Sequence, residues 1–169
     1  MNAQYCKILM QIIIKEAKYI PDTKFITQAI RELVRENSCE KFTVLIEGLL
    51  TALSKRNSIK FNEKEIKVAM ATYAGLSNLY IIKSEYEVEN GVVDLAFLPR
   101  ADMPELDTLL FEVKYIKKGN ESKKTIDIAL SDAIEHLRRY ESSKEFSGKK
   151  VSSWAIVFVG EKCVERVKV

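Results

Sequence analysis

The sequence predicts an α/β (α+β) fold in the order α-β-β-β-α-β, with a mixed central sheet flanked by helices and an N-terminal helical extension. Three observations predict it. Apolar residues recur at helical spacing through about the first sixty residues, and the pattern then changes to alternating helical and strand-like segments. Asn90-Gly91 falls between two strand-like runs, residues 80–89 and 92–98, where it signals a tight hairpin. Residues 154–159 form an almost unbroken apolar run suited to a strand buried on both faces.

In order along the chain, Tyr5, Ile8, Leu9, Ile12 and Ile13 mark a first helix. Phe25, Ile26, Ala29, Ile30, Leu33 and Val34 mark a second, and Phe42, Leu45, Ile46, Leu49 and Leu50 a third. Pro21-Asp22 separates the first two, with Asp22 or Thr23 as N-cap, and Asn37-Ser38 separates the second from the third. Residues 1–58 are thus expected to be a helical extension packing on a core of residues 59–169. The core opens with Asn62 and Glu65, spaced as an N-cap and its capping-box carboxylate, which gives Glu65 a structural role. Glu63 falls on the face of Ile66, Met70 and Tyr73 and so points inward, the somewhat commoner alternative being an acidic residue that simply favours the helix dipole in the first turn.

Asn90-Gly91 fits a type I′ turn, whose two central residues both need positive φ, so the flanking strands should pair antiparallel. In the simplest register Glu87 opposes Asp94, a repulsive pair unless a cation lies between them. A register slip or outward exposure of Glu87 is preferred, with Glu85, Glu87 and Glu89 forming one solvated face. The last helix, residues 125–140, turns Ile126, Ala129, Leu130, Ala133 and Leu137 toward the sheet, with His136 and Tyr140 flanking that stripe.

Composition narrows the function classes. With 47% hydrophobic and 30% charged residues the chain should fold as an ordinary globular domain. A net charge of +3, from 27 basic and 24 acidic residues, is too small to identify a polyanionic partner by itself. Cys6, Cys39 and Cys163 are odd in number and widely spaced, fitting neither a disulfide framework nor a CxxC zinc site, so a reducing compartment is expected. The apolar stretch Ile8–Ile14 is too short to span a membrane; a cytoplasmic protein without a membrane partner is the expectation. The chain has no GxxxxGK[ST] phosphate loop, GxSxG elbow or HExxH, so no nucleotide cofactor is expected.

The chemistry gathers on two strand-like runs. Asp94 is the only charge in the run 92–98, where an unpaired carboxylate would be costly to bury. In the run 110–116, Glu112 and Lys114 share a face with Leu110 and Ile116. A hard cation such as Mg²⁺, held by Asp94 and Glu112, would satisfy both carboxylates, and Lys114 beside it would meet a phosphate. The alternative places Glu112 and Lys114 in solvent and satisfies Asp94 with a lysine or backbone amides. His136 and Tyr140, one helical turn apart, can reach the same ligand, although a histidine at a helix margin is more commonly ordinary surface.

Together, Glu63, Asp94, Glu112-Val113-Lys114 and His136xxxTyr140 in this order of elements resemble the PD-(D/E)XK nuclease superfamily over about residues 60–160, implying a restriction-endonuclease-like core. More narrowly, Asn62-Glu63, Ser84-Glu85-Tyr86-Glu87, Gly91-Val92-Val93-Asp94, Phe111-Glu112-Val113-Lys114-Tyr115 and Ala133-Ile134-Glu135-His136-Leu137 look like the C-terminal domain of bacterial AAA-type ATPase-like proteins. The resemblance implies that Asp94, Glu112 and Lys114 are catalytic and that Asp94, Glu112 and Glu63 bind Mg²⁺ or Mn²⁺. Glu63, His136 and Tyr140 would support them. It also implies a nucleic-acid substrate, expected to be DNA, and an ATPase domain in a longer protein as partner. His136 stands where the family commonly has glutamine, and Val93 where the naming proline would be. Pro21-Asp22 is a decoy, far from the ExK strand.

Lys60, Lys64, Lys67, Lys117, Lys118, Lys123, Lys124, Arg138 and Arg139 fall near these motifs. Lys64, Lys117, Lys118 and Arg139 are the candidate nucleic-acid contacts, against the alternative of a solvated surface interspersed with Glu121, Asp127 and Glu135. The leading expectation is a Mg²⁺-dependent nuclease. The alternative is a non-catalytic nuclease-fold module that binds nucleic acid or protein within an ATPase system.

Overall fold

A computed structural model describes Gln11, Lys15 and residues 22–54 and 62–169. Tyr5, Ile8, Leu9, Ile12 and Ile13, together with Pro21 and Lys60, lie outside the described residues. Asp22 caps helix α1 (Thr23–Arg35) by accepting the Lys24 backbone N–H at 2.8 Å, satisfying one donor the helix cannot. After a turn through Asn37 in the left-handed region (φ 50°), α2 (Glu40–Ser54) buries Phe42, Leu45, Ile46, Leu49 and Leu50. Helix α3 (Glu63–Leu76) begins with the expected capping box: Asn62 accepts from Lys64 N at 2.8 Å, and Glu65 accepts from Asn62 N at 2.9 Å.

Five strands follow: β1 (Tyr80–Val88), β2 (Gly91–Pro99), β3 (Thr108–Ile116), β4 (Val151–Val159) and β5 (Lys162–Lys168). They form one sheet in the order β1-β2-β3-β4-β5. Only the β3–β4 pair is parallel, and parallel neighbours need a crossover, here α4 (Lys123–Glu141) with a 3₁₀ turn at Lys144–Phe146. The fold is therefore the mixed sheet with flanking helices that the sequence predicts.

The two sheet faces bury different amounts of apolar surface. Helices α1–α3 cover one face in a large core that includes Phe42, Phe97 and Phe111, with the Phe97 and Phe111 rings 4.8 Å apart. On the other face Ala133, Leu137 and Tyr140 of α4 pack on Val93, Ala96, Leu110 and Ala155.

Two features depart from the sequence reading. β5 was not expected, because Lys162, Glu165, Arg166 and Lys168 leave it few apolar residues, as suits an edge strand. The hairpin is antiparallel, but its turn is not type I′. Val88 pairs with Gly91, Glu89 and Asn90 make the turn, and positive φ falls on Gly91 (137°) alone of these four. Glu87 therefore pairs with Val92 rather than opposing Asp94. The turn is anchored on the end of α4, where Asn90 Nδ2 donates to Arg139 O at 3.3 Å and Ser142 Oγ at 3.0 Å.

Candidate active site

The site begins where β2 and β3 stop pairing. Their ladder covers only Leu95–Phe97 against Leu109–Phe111, and extending that register brings Asp94 opposite Glu112. Instead of continuing the ladder, the Asp94 carboxylate enters the fork, and its Oδ2 accepts the backbone N–H of Val113 at 2.9 Å. A backbone donor that lost its strand partner is thereby satisfied, and the carboxylate is fixed beside Glu112.

The other Asp94 oxygen, Oδ1, accepts from Lys67 Nζ at 2.9 Å. Lys67 projects from α3 with its side chain 10% exposed and also holds Glu63 Oε1 at 3.3 Å and, in a short contact, Glu85 Oε1. The alternative that Asp94 is satisfied by a lysine and a backbone amide is thus what this structure contains. Lys67, one of the basic residues near these motifs but not among the four candidate nucleic-acid contacts, points inward to the carboxylates. Its place was readable in principle, since it lies four residues after inward-facing Glu63 on one helix face.

Glu85 was expected on a solvated face. Its side chain is 60% exposed, but its carboxylate turns to Lys67. Ser84 pairs with Leu95 and Tyr86 with Val93, while Glu85 between them is unpaired and left-handed (φ 51°). A left-handed non-glycine residue costs on the order of 1 kcal/mol or more, and here it aims a carboxylate at the centre of the cluster.

Glu112 is buried, with its side chain 4% exposed. Its Oε1 accepts from Lys114 Nζ at 2.9 Å and meets His136 Nδ1 at 2.8 Å. Its Oε2 is buried without a hydrogen-bond partner among the described residues. His136, on α4, therefore reaches the site, and its side chain is 35% exposed. Tyr140 stands beside it, the two ring centroids 5.9 Å apart, and is itself buried in the smaller core with its ring against Gly91. A glycine at position 91 leaves the space that the ring fills.

The electrostatics bind these groups into one cluster. Burial raises Glu63 above the usual carboxylate range, the charge of Asp94 adds to this, and Lys67 and Lys114 oppose it. Burial works to lower Lys67, but its bonds to Glu85 and Asp94 outweigh burial and hold it above the ordinary lysine range. Lys114 is likewise raised against burial, by Glu112 first and by Asp94 and Glu63 as well. Lys114 thus senses all three expected metal-binding carboxylates.

Among the described residues no group of three or more His, Cys, Asp and Glu side chains is spaced as a ready metal cage. Lys67 and Lys114 occupy Asp94 Oδ1 and Glu112 Oε1 instead. The donors still fit a hard divalent ion. They are carboxylate oxygens, and the partnerless Glu112 Oε2 is a buried acceptor that a cation would satisfy.

The basic residues lie further out. Lys64, Lys117, Lys118 and Arg139 are exposed; Lys118 pairs with Glu161 at 3.6 Å, and Arg139 lies over the Tyr140 ring at 5.3 Å. A cavity of about 670 Å³ is lined mainly by α1 and by Leu76 and Leu79, and holds none of the clustered carboxylates.

The sequence model of the PD-(D/E)XK nuclease superfamily matches residues 61–167. The chain belongs to that superfamily. No individual curated protein matches it. The match runs from the start of α3 into β5, so all the clustered charges lie within the PD-(D/E)XK part of the chain, whereas α1 and α2 precede it.

Proposed function

We propose that this PD-(D/E)XK protein hydrolyses phosphodiester bonds in nucleic acid, with DNA as substrate, using Mg²⁺ or Mn²⁺. The observation that carries the reading is the buried, partnerless Glu112 Oε2 next to an Asp94 whose carboxylate is pinned by Val113 N. Asp94 and Glu112 would hold the ion, with Glu63 on α3 as a further ligand or support. The bound ion would orient and acidify a water and offset charge on the phosphoryl group.

Lys114 Nζ, partly exposed beside Glu112, binds a phosphate oxygen and neutralises charge gathering there. His136 fixes Glu112 Oε1 and, being partly exposed, can also hydrogen-bond a substrate oxygen. Lys64, Lys117, Lys118 and Arg139 track the phosphate backbone. The likeness to the C-terminal domain of AAA-type ATPase-like proteins supports residues 59–169 as the nuclease core, residues 1–58 as the joining helices, and an ATPase domain as partner. The cytoplasm fits its reduced thiols.

The test incubates the protein with supercoiled and linear DNA and Mg²⁺ or Mn²⁺, beside Asp94→Ala and Lys114→Ala. Metal-dependent cleavage lost in both variants is expected, and cleavage that survives both rejects the site. A second reading, a binding module without turnover, is supported by Lys67 occupying Asp94 Oδ1. It predicts metal-independent DNA binding with no cleavage.

A further inference from the structure

Lys67 Nζ lies among three carboxylate oxygens, Glu63 Oε1 at 3.3 Å, Asp94 Oδ1 at 2.9 Å and Glu85 Oε1 in a short contact. Such an oxygen set is what a hard divalent ion takes when no ammonium group is there. Glu112 Oε2, by contrast, is buried with no partner among the described residues, so a cation is still wanted on the β3 side of the fork. The cluster therefore has two cation positions of different kinds, one filled by the chain and one not.

We infer that Lys67 is a built-in cation that takes the place of a second metal ion, so that the site accepts one divalent ion, at Glu112 and Asp94. Charge balance agrees. The carboxylates of Glu63, Glu85, Asp94 and Glu112 against the ammonium groups of Lys67 and Lys114 leave a formal charge of two negatives, which one divalent ion cancels. A second ion would have to displace Lys67 from a largely buried position where it has three acidic partners, and a displaced buried charge is costly.

Lys67 is in these terms a positioning residue. It holds Asp94 Oδ1 and, through Glu85, keeps the unpaired left-handed residue of β1 turned to the cluster.

This inference rests on the metal-binding part of the proposed function, and its test counts ions without reading cleavage. Mn²⁺ is titrated into the full chain, and free Mn²⁺ is followed by electron paramagnetic resonance. The wild type should bind one ion per chain. Lys67→Met, which vacates the ammonium position and leaves the three carboxylates, should bind two, and Lys67→Arg should return the count to one. If Lys67→Met does not fold by circular dichroism, Lys67→Gln, which keeps a polar group there, replaces it with the same expected gain.

Two ions in the wild type, or no gain in the folded neutral variant, overturns the inference. So does a wild type that binds none. A wild type that binds one ion and gains a second on losing Lys67, yet cuts no DNA, supports the inference while rejecting hydrolysis.

Discussion

Asp94 does two jobs with two oxygens, and substitution can separate them. Oδ2 satisfies the buried Val113 N–H at 2.9 Å, and Oδ1 receives Lys67 Nζ at 2.9 Å, with both side chains nearly buried at 12% and 10% exposure. Asp94→Asn keeps an acceptor for Val113 but loses the charge, so its stability cost is the charge-assisted bond to Lys67, about 2 kcal/mol. Lys67 retains Glu63 and Glu85, which keeps the loss below that of a stranded buried charge. Asp94→Ala also leaves the Val113 N–H without its acceptor, adding about 2 kcal/mol for a total of about 4 kcal/mol. Guanidinium midpoints of the two variants should therefore differ clearly, while under the proposed function DNA cleavage should be lost in both, since neither keeps a carboxylate to hold a metal ion. Equal destabilisation by Asn and Ala would show that the Val113 bond does not hold the fork. Cleavage retained by Asp94→Asn would show that the carboxylate charge is not needed for chemistry.

Gly91→Ala should destabilise by about 3 kcal/mol in chemical denaturation, because φ is 137° and a Cβ would lie 2.7 Å from Tyr140 Cε1. Adding Tyr140→Ala should remove the clash part of that cost, and a simply additive double variant would contradict the contact. Glu63 is held above its ordinary value of 4.5, chiefly by burial, so the folded chain binds this proton more tightly than the unfolded chain. Its stabilising contribution is then full below that value and is lost as pH rises through the raised folded one. The denaturation midpoint of wild type relative to Glu63→Gln should fall across this acidic window, and a flat difference would count against the shift. Burial pushes the Cys163 thiol up to about 11 and that of Cys39 to about 12, so in a Cys6→Ser background neither should react with a disulfide reagent near neutral pH until the chain is unfolded. Prompt labelling of the folded protein would refute their burial.

Local signals were the legible part of the sequence. The Asn62–Glu65 capping box depends on residues three apart, and the helical stripes of α1, α2 and α4 on residues three and four apart; both stand in the fold as read. The mixed sheet followed from the long apolar β4 and the hairpin. Register was less legible. Asn90-Gly91 specifies a hairpin, but which residues cap it depends on Asn90 bonding to α4 and on Tyr140 filling the space at Gly91, contacts some fifty residues apart in sequence. The register slip preferred to a Glu87–Asp94 opposition is present, with Glu87 paired to Val92, and Glu85, Glu87 and Glu89 are all exposed; what local pattern does not carry is the turn of the Glu85 carboxylate toward Lys67. The burial of Lys67 is not legible for a related reason: a lysine in a helix reads as surface, and only the three carboxylates brought from α3, β1 and β2 make its burial tolerable.

The pairing of the buried charged atoms bears on whether the site is built for chemistry or for structure. A charge cluster kept only for stability would be expected to pair every buried atom, because an unsatisfied polar group costs about 1–3 kcal/mol and charged groups cost more. The Asp94–Lys67 side of the fork meets that standard, with both Asp94 oxygens bonded. The Glu112 side does not, since Oε1 has two partners and Oε2 has none among the described residues. Among the described residues other buried atoms also lack partners, including Ser153 Oγ and Trp154 Nε1, but these are neutral, and Glu112 Oε2 is the only carboxylate oxygen in that set. Stability alone would favour a glutamine or an apolar residue at this position. A carboxylate there, next to a lysine and a partly exposed histidine, is what the proposed metal-binding role calls for. Glu112→Gln should accordingly abolish Mn²⁺ binding in the resonance titration; a variant that still takes up one ion would place the metal elsewhere and leave the buried oxygen without an explanation.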